Sequence, residues 1–178
     1  MHNIIEQEYS SAKTSIKQIP AGVNIIDKYF GWKPNTINLD IGGGKYELMT
    51  ENLHEKHVLN LVYDPYNRSI AHNQMVLTAC KSLVIDTVTI FNVLNVIKER
   101  EIQIEVINLA LAMLKMNGML FVRSTYMNKN KVSGVTKLGT FQHHMKQSEY
   151  LKIVQNVFPN AELNHGIIFA KKLSNIVT

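Results

Sequence analysis

Two short apolar runs constrain this chain more than any other feature. Ile37-Asn38-Leu39-Asp40-Ile41 runs directly into Gly42-Gly43-Gly44, and Leu61-Val62-Tyr63 ends at Asp64. Runs of this length, bounded by turn residues, read as buried strands. Each delivers a carboxylate beside a turn. A glycine cluster after a strand lets the backbone bend sharply and admits a ligand where side chains would block it. An acid about 20 residues further on, at the tip of the next strand, suits the paired hydroxyls of a ribose. The pattern therefore predicts a nucleoside-cofactor site. A dinucleotide fingerprint needs a third glycine three residues after the second, but Gly44 is followed by Lys45, Tyr46 and Glu47. The helix start that would receive a pyrophosphate lacks its close-packing position.

The segment Asp40-Ile41-Gly42-Gly43-Gly44 resembles the first motif of class I S-adenosylmethionine-dependent methyltransferases, an aspartate followed by hydrophobic-Gly-x-Gly. The resemblance implies that the glycine loop lies against the methionine half of the cofactor. It further implies that Asp64 binds the ribose. Pro65 reads as fixing the turn after it. Asp86 to Ile97 resembles the family's fourth strand, with Asn92 and Val93 where the chain leaves the sheet beside the cofactor. Glu101 to Lys115 follows, with Ile104, Ile107, Leu111 and Leu114 at helical spacing, and Asn117-Gly118 supplies residues that tolerate a left-handed cap. Met119 to Val122 restarts a strand. Leu114-Lys115-Met116-Asn117-Gly118 matches the family's approach to its fifth strand. Near the C-terminus, Glu149 to Phe158 reads as a helix stopped by Pro159-Asn160, and Glu162-Leu163 with Gly166 to Ala170 reads as an antiparallel hairpin whose edge Lys171-Lys172 would blunt. The implied fold is a Rossmann-like class I methyltransferase α/β domain. Its sheet is mostly parallel with an antiparallel C-terminal hairpin.

Residues 35–178 are expected to form the S-adenosylmethionine-binding domain, and residues 1–34 a helical lead-in divided at Pro20-Ala21-Gly22. In small methyltransferases such a segment often covers the cofactor or substrate entrance. Tyr9, Tyr29 and Trp32 could wall such a site, but Tyr29, Phe30 and Trp32 fit packing against the sheet edge better. Only 21 residues separate Asp64 from Asp86. Ser69 can cap a very short helix through Asn73, and Met75 to Thr78 can form a brief third strand. That places Ala79 and Cys80 near the adenine. No acidic or polar residue stands there to meet the exocyclic amine.

At 178 residues the chain suits one domain, and its 46% hydrophobic content is ordinary for a globular protein. The one cysteine, Cys80, has no internal disulfide partner, and the first residues show no signal-peptide pattern, so a cytoplasmic protein is expected. Ile102 to Val122 is interrupted by Glu105, Asn108, Lys115 and Asn117 and does not read as a membrane span. His143 and His144 lack ligand-spaced partners, and no metal is expected.

Arg123 to Lys146 holds five basic residues (Arg123, Lys129, Lys131, Lys137 and Lys146), His143 and His144, and no acid. A loop at this point of such a fold stands over the cofactor crevice, and its field would attract an anionic acceptor, either a small molecule or RNA. Equally, the charges could simply keep a long loop solvated. The resemblance assigns acceptor-positioning candidates at Asn92, Tyr126 and His143. Asp64-Pro65-Tyr66 sits on the wrong strand for the Asp-Pro-Pro-Tyr motif of amino-directed DNA methyltransferases, and no Pro-Cys pair is present to attack a pyrimidine. Two other readings remain, an enzyme that cleaves S-adenosylmethionine and a non-catalytic module that binds nucleic acid through the chain's net charge of +5.

Overall fold

A computed structural model describes residues 6–124 and 132–174. The elements in order are α1 (Ala21–Tyr29), β1 (Thr36–Ile41), α2 (Leu48–Glu55), β2 (Val58–Tyr63), α3 (Ile70–Ser82), β3 (Ile85–Phe91), a 3-10 turn (Leu94–Val96), α4 (Arg100–Met113), β4 (Leu114–Arg123), β5 (Gly134–Val135), β6 (Phe141–Gln142), α5 (Gln147–Gln155), β7 (Glu162–Asn164) and β8 (Ile167–Lys171). Six strands form one sheet in the order β2-β1-β3-β4-β8-β7, and β5 and β6 form a separate small hairpin. The first four are mutually parallel, and β8 runs antiparallel to both β4 and β7. The expected fold class is therefore the observed one. Because β2 and β3 flank β1 on opposite sides, the chain reverses its winding between β1 and β3. A crevice opens at the carboxyl ends of such strands.

Both faces of the sheet are covered. On one side Leu39, Ile41, Val88, Ile90, Leu120 and Val122 pack against α3, α4 and α5 through Val76, Ile107, Leu111, Tyr150 and Ile153. On the other, Phe91 and Phe121 pack against Val23 and Ile26 of α1 and Met49 and Leu53 of α2. Phe30 meets Phe121 edge-on at 5.1 Å, and Trp32 packs into the same cluster. Tyr29 is 45% exposed and stacks on His165 at 3.6 Å.

Three expectations change. There is no third strand over Met75–Thr78; those residues belong to α3, which runs unbroken from its Ser69 cap, where the Ser69 hydroxyl accepts the His72 N–H. Asn73, Val76 and Cys80 are buried at the helical period that defines this element. Strand β2 is consequently an edge of the sheet. Second, α4 ends at Met113, and Asn117, at φ 63°, lies inside β4 where the register against β3 is irregular. Gly118 is needed there, since an added Cβ would lie 2.9 Å from Leu114 Cδ2 and 3.0 Å from the Asp86 carbonyl oxygen. Third, Lys172 does not guard an edge. Its ammonium donates to the carbonyls of Leu111 and Leu114, satisfying groups left open at the end of α4.

Candidate functional site

The site begins with a polar seam buried in the sheet. Asn38 of β1 donates through Nδ2 to Asn60 Oδ1 on β2 and to Thr89 Oγ1 on β3, while its Oδ1 accepts from Thr87. Asn60 in turn donates to Thr50 on α2. Thr89 passes its own hydroxyl proton to Asp40 Oδ1 at 3.0 Å. A buried polar group is tolerated only when its bonds are made. Here each amide is engaged by the next strand, and the chain of bonds ends on the carboxyl group of Asp40, held in one orientation at the carboxyl end of β1.

Asp40 is 2% exposed. Burial raises its pKa to about 7, Thr89 opposes the rise, Asp64 adds to it and Arg68 reduces it. The carboxyl group is thus poised between its two forms near neutral pH and would ionise readily beside a cation.

The glycine loop follows. Gly42 (φ 76°) and Gly44 (φ 75°) adopt backbone that a side chain strongly disfavours. Their lack of a Cβ serves the protein first: a Cβ on Gly42 would lie 2.3 Å from Val93 Cγ2, and one on Gly43 would lie 2.2 Å from Asp40 Oδ2. At Gly44 it would meet Ser15 Oγ at 2.5 Å. The loop is packed between the turn after β3, the Asp40 carboxyl group and the N-terminal segment.

Asp64 joins that loop to the next one. Its Oδ2 accepts the Gly44 N–H at 2.9 Å, and its Oδ1 accepts the N–H groups of Tyr66 and Asn67, both at 2.9 Å. The Asn67 amide straddles both oxygens at 3.3 Å. A carboxylate offers about four lone-pair sites. Four donors thus address these sites, the shared Asn67 amide being the longest contact, so a ligand hydroxyl would take its place on Oδ2. Asn73 fixes the same strand end, accepting from the Asp64 N–H and donating to its carbonyl. Arg68 braces the same loop: Nε donates to the Gly44 carbonyl at 2.7 Å and Nη1 pairs with Glu47.

These groups border one elongated cavity at the carboxyl ends of β1 and β3. Asp40, Gly42, Gly43, Gly44, Asp64, Pro65, Asn92 and Val93 all line it. Asn92, at φ 57°, donates its backbone N–H to the Arg123 carbonyl, tying the end of β3 to β4. Other expected residues lie elsewhere. Ala79 stands within α3 and is not part of the lining, because the strand expected to present it does not form. His143 is also outside the lining; its N–H donates to the Asn95 carbonyl and its ring meets Phe141 edge-on at 4.7 Å. Burial lowers the His143 pKa, against backbone bonds at Lys98 and Ile97. The histidine anchors the small hairpin to the 3-10 turn rather than facing a ligand. Tyr126, Lys129 and Lys131 fall outside the described residues.

The sequence reading missed one wall, the apolar one from Val96, Ile97, Ile102, Val106 and Leu109. The segment before α1, expected as a helical cover with aromatic walls, does border the cavity, but its described part is not helical and it contributes Gln7, Ser11, Thr14, Ser15, Ile16, Gln18 and Pro20 rather than Tyr9. It lies across the cavity like a strap. Gln7 donates its N–H to Tyr66 Oη, Glu8 bonds the Glu99 carboxylate through its N–H and pairs with Lys98, and Ser15 Oγ accepts the Lys45 N–H. These are polar contacts of a non-helical segment, and no apolar period announces them. Among the described residues, no three potential ligands cluster as a metal site, and no helix is long and apolar enough to cross a membrane.

No family model matches the chain, and no curated protein matches it by sequence. Solved structures do resemble it. A SAM-dependent methyltransferase from Methanosarcina mazei superposes with a TM-score of 0.61 at 15% identity, covering 89% of this chain and 99% of the other. An amino pentose methyltransferase from Micromonospora echinaspora, solved with SAM bound, gives 0.53 at 13% identity over 85% of this chain and 90% of that one. A T. thermophilus 16S rRNA methyltransferase, in complex with AdoMet and guanosine, gives 0.53 at 17% identity and covers 89% of this chain and 44% of the other. The fold is that of the class I SAM-dependent methyltransferases.

Proposed function

We propose that the protein binds S-adenosylmethionine in the cavity at the carboxyl ends of β1 and β3 and transfers its methyl group to an anionic small molecule or an RNA. The observation that carries this reading is the pairing of Asp40 and Asp64 around one glycine loop at the point where the sheet reverses its winding, with Asp64 Oδ2 holding the Gly44 N–H. That arrangement fits the group. Asp64, which lines the cavity, suits a ribose hydroxyl in place of the long Asn67 amide contact, and Asp40, poised near neutrality, suits the ammonium of a methionine moiety.

When bound, the cofactor supplies a methyl group on a positively charged sulfur, open to direct displacement by an acceptor lone pair. The chain's own residues contribute position and dryness. Gly42 to Gly44, clamped by Asp64 and Arg68, present a rigid backbone surface. Asn92 and Val93 occupy the exit of β3 beside that surface, and Phe91, Met49 and Ile16 add apolar lining that excludes water. Arg123 at the end of β4 and the chain's net charge of +5 support an anionic acceptor. The test is incubation of the protein with S-adenosylmethionine, first alone and then with pooled RNA or a panel of anionic metabolites, with product analysis. S-Adenosylhomocysteine formed only with an acceptor supports transfer. Cofactor breakdown without acceptor would replace transfer by cleavage.

A further inference from the structure

One wall of the cavity has the character of a base slot. Val96, Ile97, Ile102, Val106 and Leu109 make it aliphatic, and Pro65 and Tyr66 line the same cavity from the turn after Asp64, so a base attached to a sugar on Asp64 has apolar lining to meet. Such a slot binds a planar apolar body well and distinguishes one base poorly, since apolar contact does not read donors and acceptors. Discrimination needs a polar group at the rim. The third strand expected to bring Ala79 and Cys80 to the adenine is absent, and neither residue lines the cavity. The strap brings Gln7 instead. Gln7 lines the cavity, its backbone N–H is fixed to Tyr66 Oη at 2.9 Å, and its side-chain Nε2 is buried with no hydrogen-bond partner. A buried amide donor left unmade is costly, and it marks a place where a ligand acceptor would complete the bond.

We propose that Gln7, carried on the N-terminal strap, is the residue that reads the nucleobase of the cofactor, its carboxamide pairing with the 6-amino group and an adjacent ring nitrogen of adenine. A carboxamide matches the donor and acceptor pair formed by the 6-amino group and N7 of adenine, and that is the edge assigned to Gln7. On the same edge hypoxanthine presents two acceptors, O6 and N7, and can keep only one of the two bonds. The strap then acts as a specificity element: docking of residues 7–15 and recognition of the base are one event. This inference rests on the proposed S-adenosylmethionine site.

The test is calorimetric titration of wild-type protein and Gln7→Ala with S-adenosylhomocysteine and S-inosylhomocysteine. Gln7 lies outside every helix and strand, so the variant keeps the fold, and an unchanged melting temperature checks this. Wild type should prefer the adenosyl ligand. Gln7→Ala should bind it about five- to a hundredfold more weakly, the range of a lost bidentate pair, and should weaken the inosyl ligand less, since that ligand loses one bond at most, so the preference shrinks. Unchanged adenosyl affinity in the variant would overturn the assignment. Equal weakening of both ligands would overturn it too, by making Gln7 a strap residue with no view of the base. Failure of the wild type to bind either ligand would instead remove the proposed cofactor site itself, and with it this inference.

Discussion

Replacing Asp40 by asparagine should stabilise the ligand-free protein in a pH-dependent way. Burial holds the Asp40 carboxyl group at a pKa of about 7, against an ordinary 3.8. At roughly 1.4 kcal/mol per pH unit, that displacement amounts to about 4 kcal/mol. The sign follows from which state holds the proton. Between pH 4 and 7 the unfolded chain has released it and the folded protein has not, so stability falls as pH rises through this window and is level above it. Asparagine keeps an oxygen to accept the Thr89 hydroxyl and cannot ionise. Wild type and Asp40→Asn should therefore respond differently to pH, the variant gaining about 4 kcal/mol on wild type between pH 4 and pH 8. With a urea slope of about 2 kcal/mol per molar, the gap between their unfolding midpoints should widen by about 2 M. Fixed effects of the substitution cancel in this comparison, as do all other titrating groups. A gap between the two midpoints that is the same at pH 4 and pH 8 would refute the claim that Asp40 is held protonated by burial. The same substitution should weaken binding of a cationic ligand, because the neutral amide offers no charge.

Further expectations follow from the clamp on the glycine loop. Asp64→Ala leaves the N–H groups of Gly44, Tyr66 and Asn67 without their acceptor and should cost about 3 kcal/mol in denaturant unfolding, with cofactor affinity lowered at least tenfold by calorimetry. Cofactor affinity that survives this change would remove Asp64 from the ribose site. Gly44→Ala puts a Cβ at φ 75° and against Ser15 Oγ, and should cost about 1–2 kcal/mol; adding Ser15→Gly should recover the steric part, and strict additivity of the two changes in a double-mutant cycle would contradict the contact. S-Adenosylhomocysteine should slow tryptic cleavage at Lys13 and Lys17, which lie in the strap; equal rates with and without it would show that the strap does not close on the ligand.

The parts of this architecture that were legible in the sequence are those governed by local pattern. Leu39 and Ile41 with the following glycines fix β1 and its turn, and the apolar residues of α4 and α5 recur at helical spacing. Strand β8 follows its glycine turn as read. Region 70–82 was misread because Met75-Val76-Leu77-Thr78 is rich in strand-favouring residues, although Asn73, Val76 and Cys80 carry the helical period that the fold obeys. The polar seam was hidden for another reason. Asn38, Asn60 and Thr89 are single polar residues within apolar runs, and only the register of β1 against β2 and β3 reveals that they complete one another. That the N-terminal segment covers the site was expected, but the residues it uses were hidden, because contacts such as Gln7 to Tyr66 join residues 59 apart through single hydrogen bonds, which leave no periodic trace. Nor does any local pattern announce that Arg68 Nε donates to the Gly44 carbonyl, 24 residues away.

The most direct measurement is calorimetric titration of the purified protein with S-adenosylmethionine and S-adenosylhomocysteine, with NAD as the control. The account predicts binding of both sulfur nucleosides in the micromolar range and none of NAD. Binding of NAD alone, or of no ligand, would contradict it and leave the loop from Gly42 to Gly44 as a packing turn between Val93, Asp40 and Ser15.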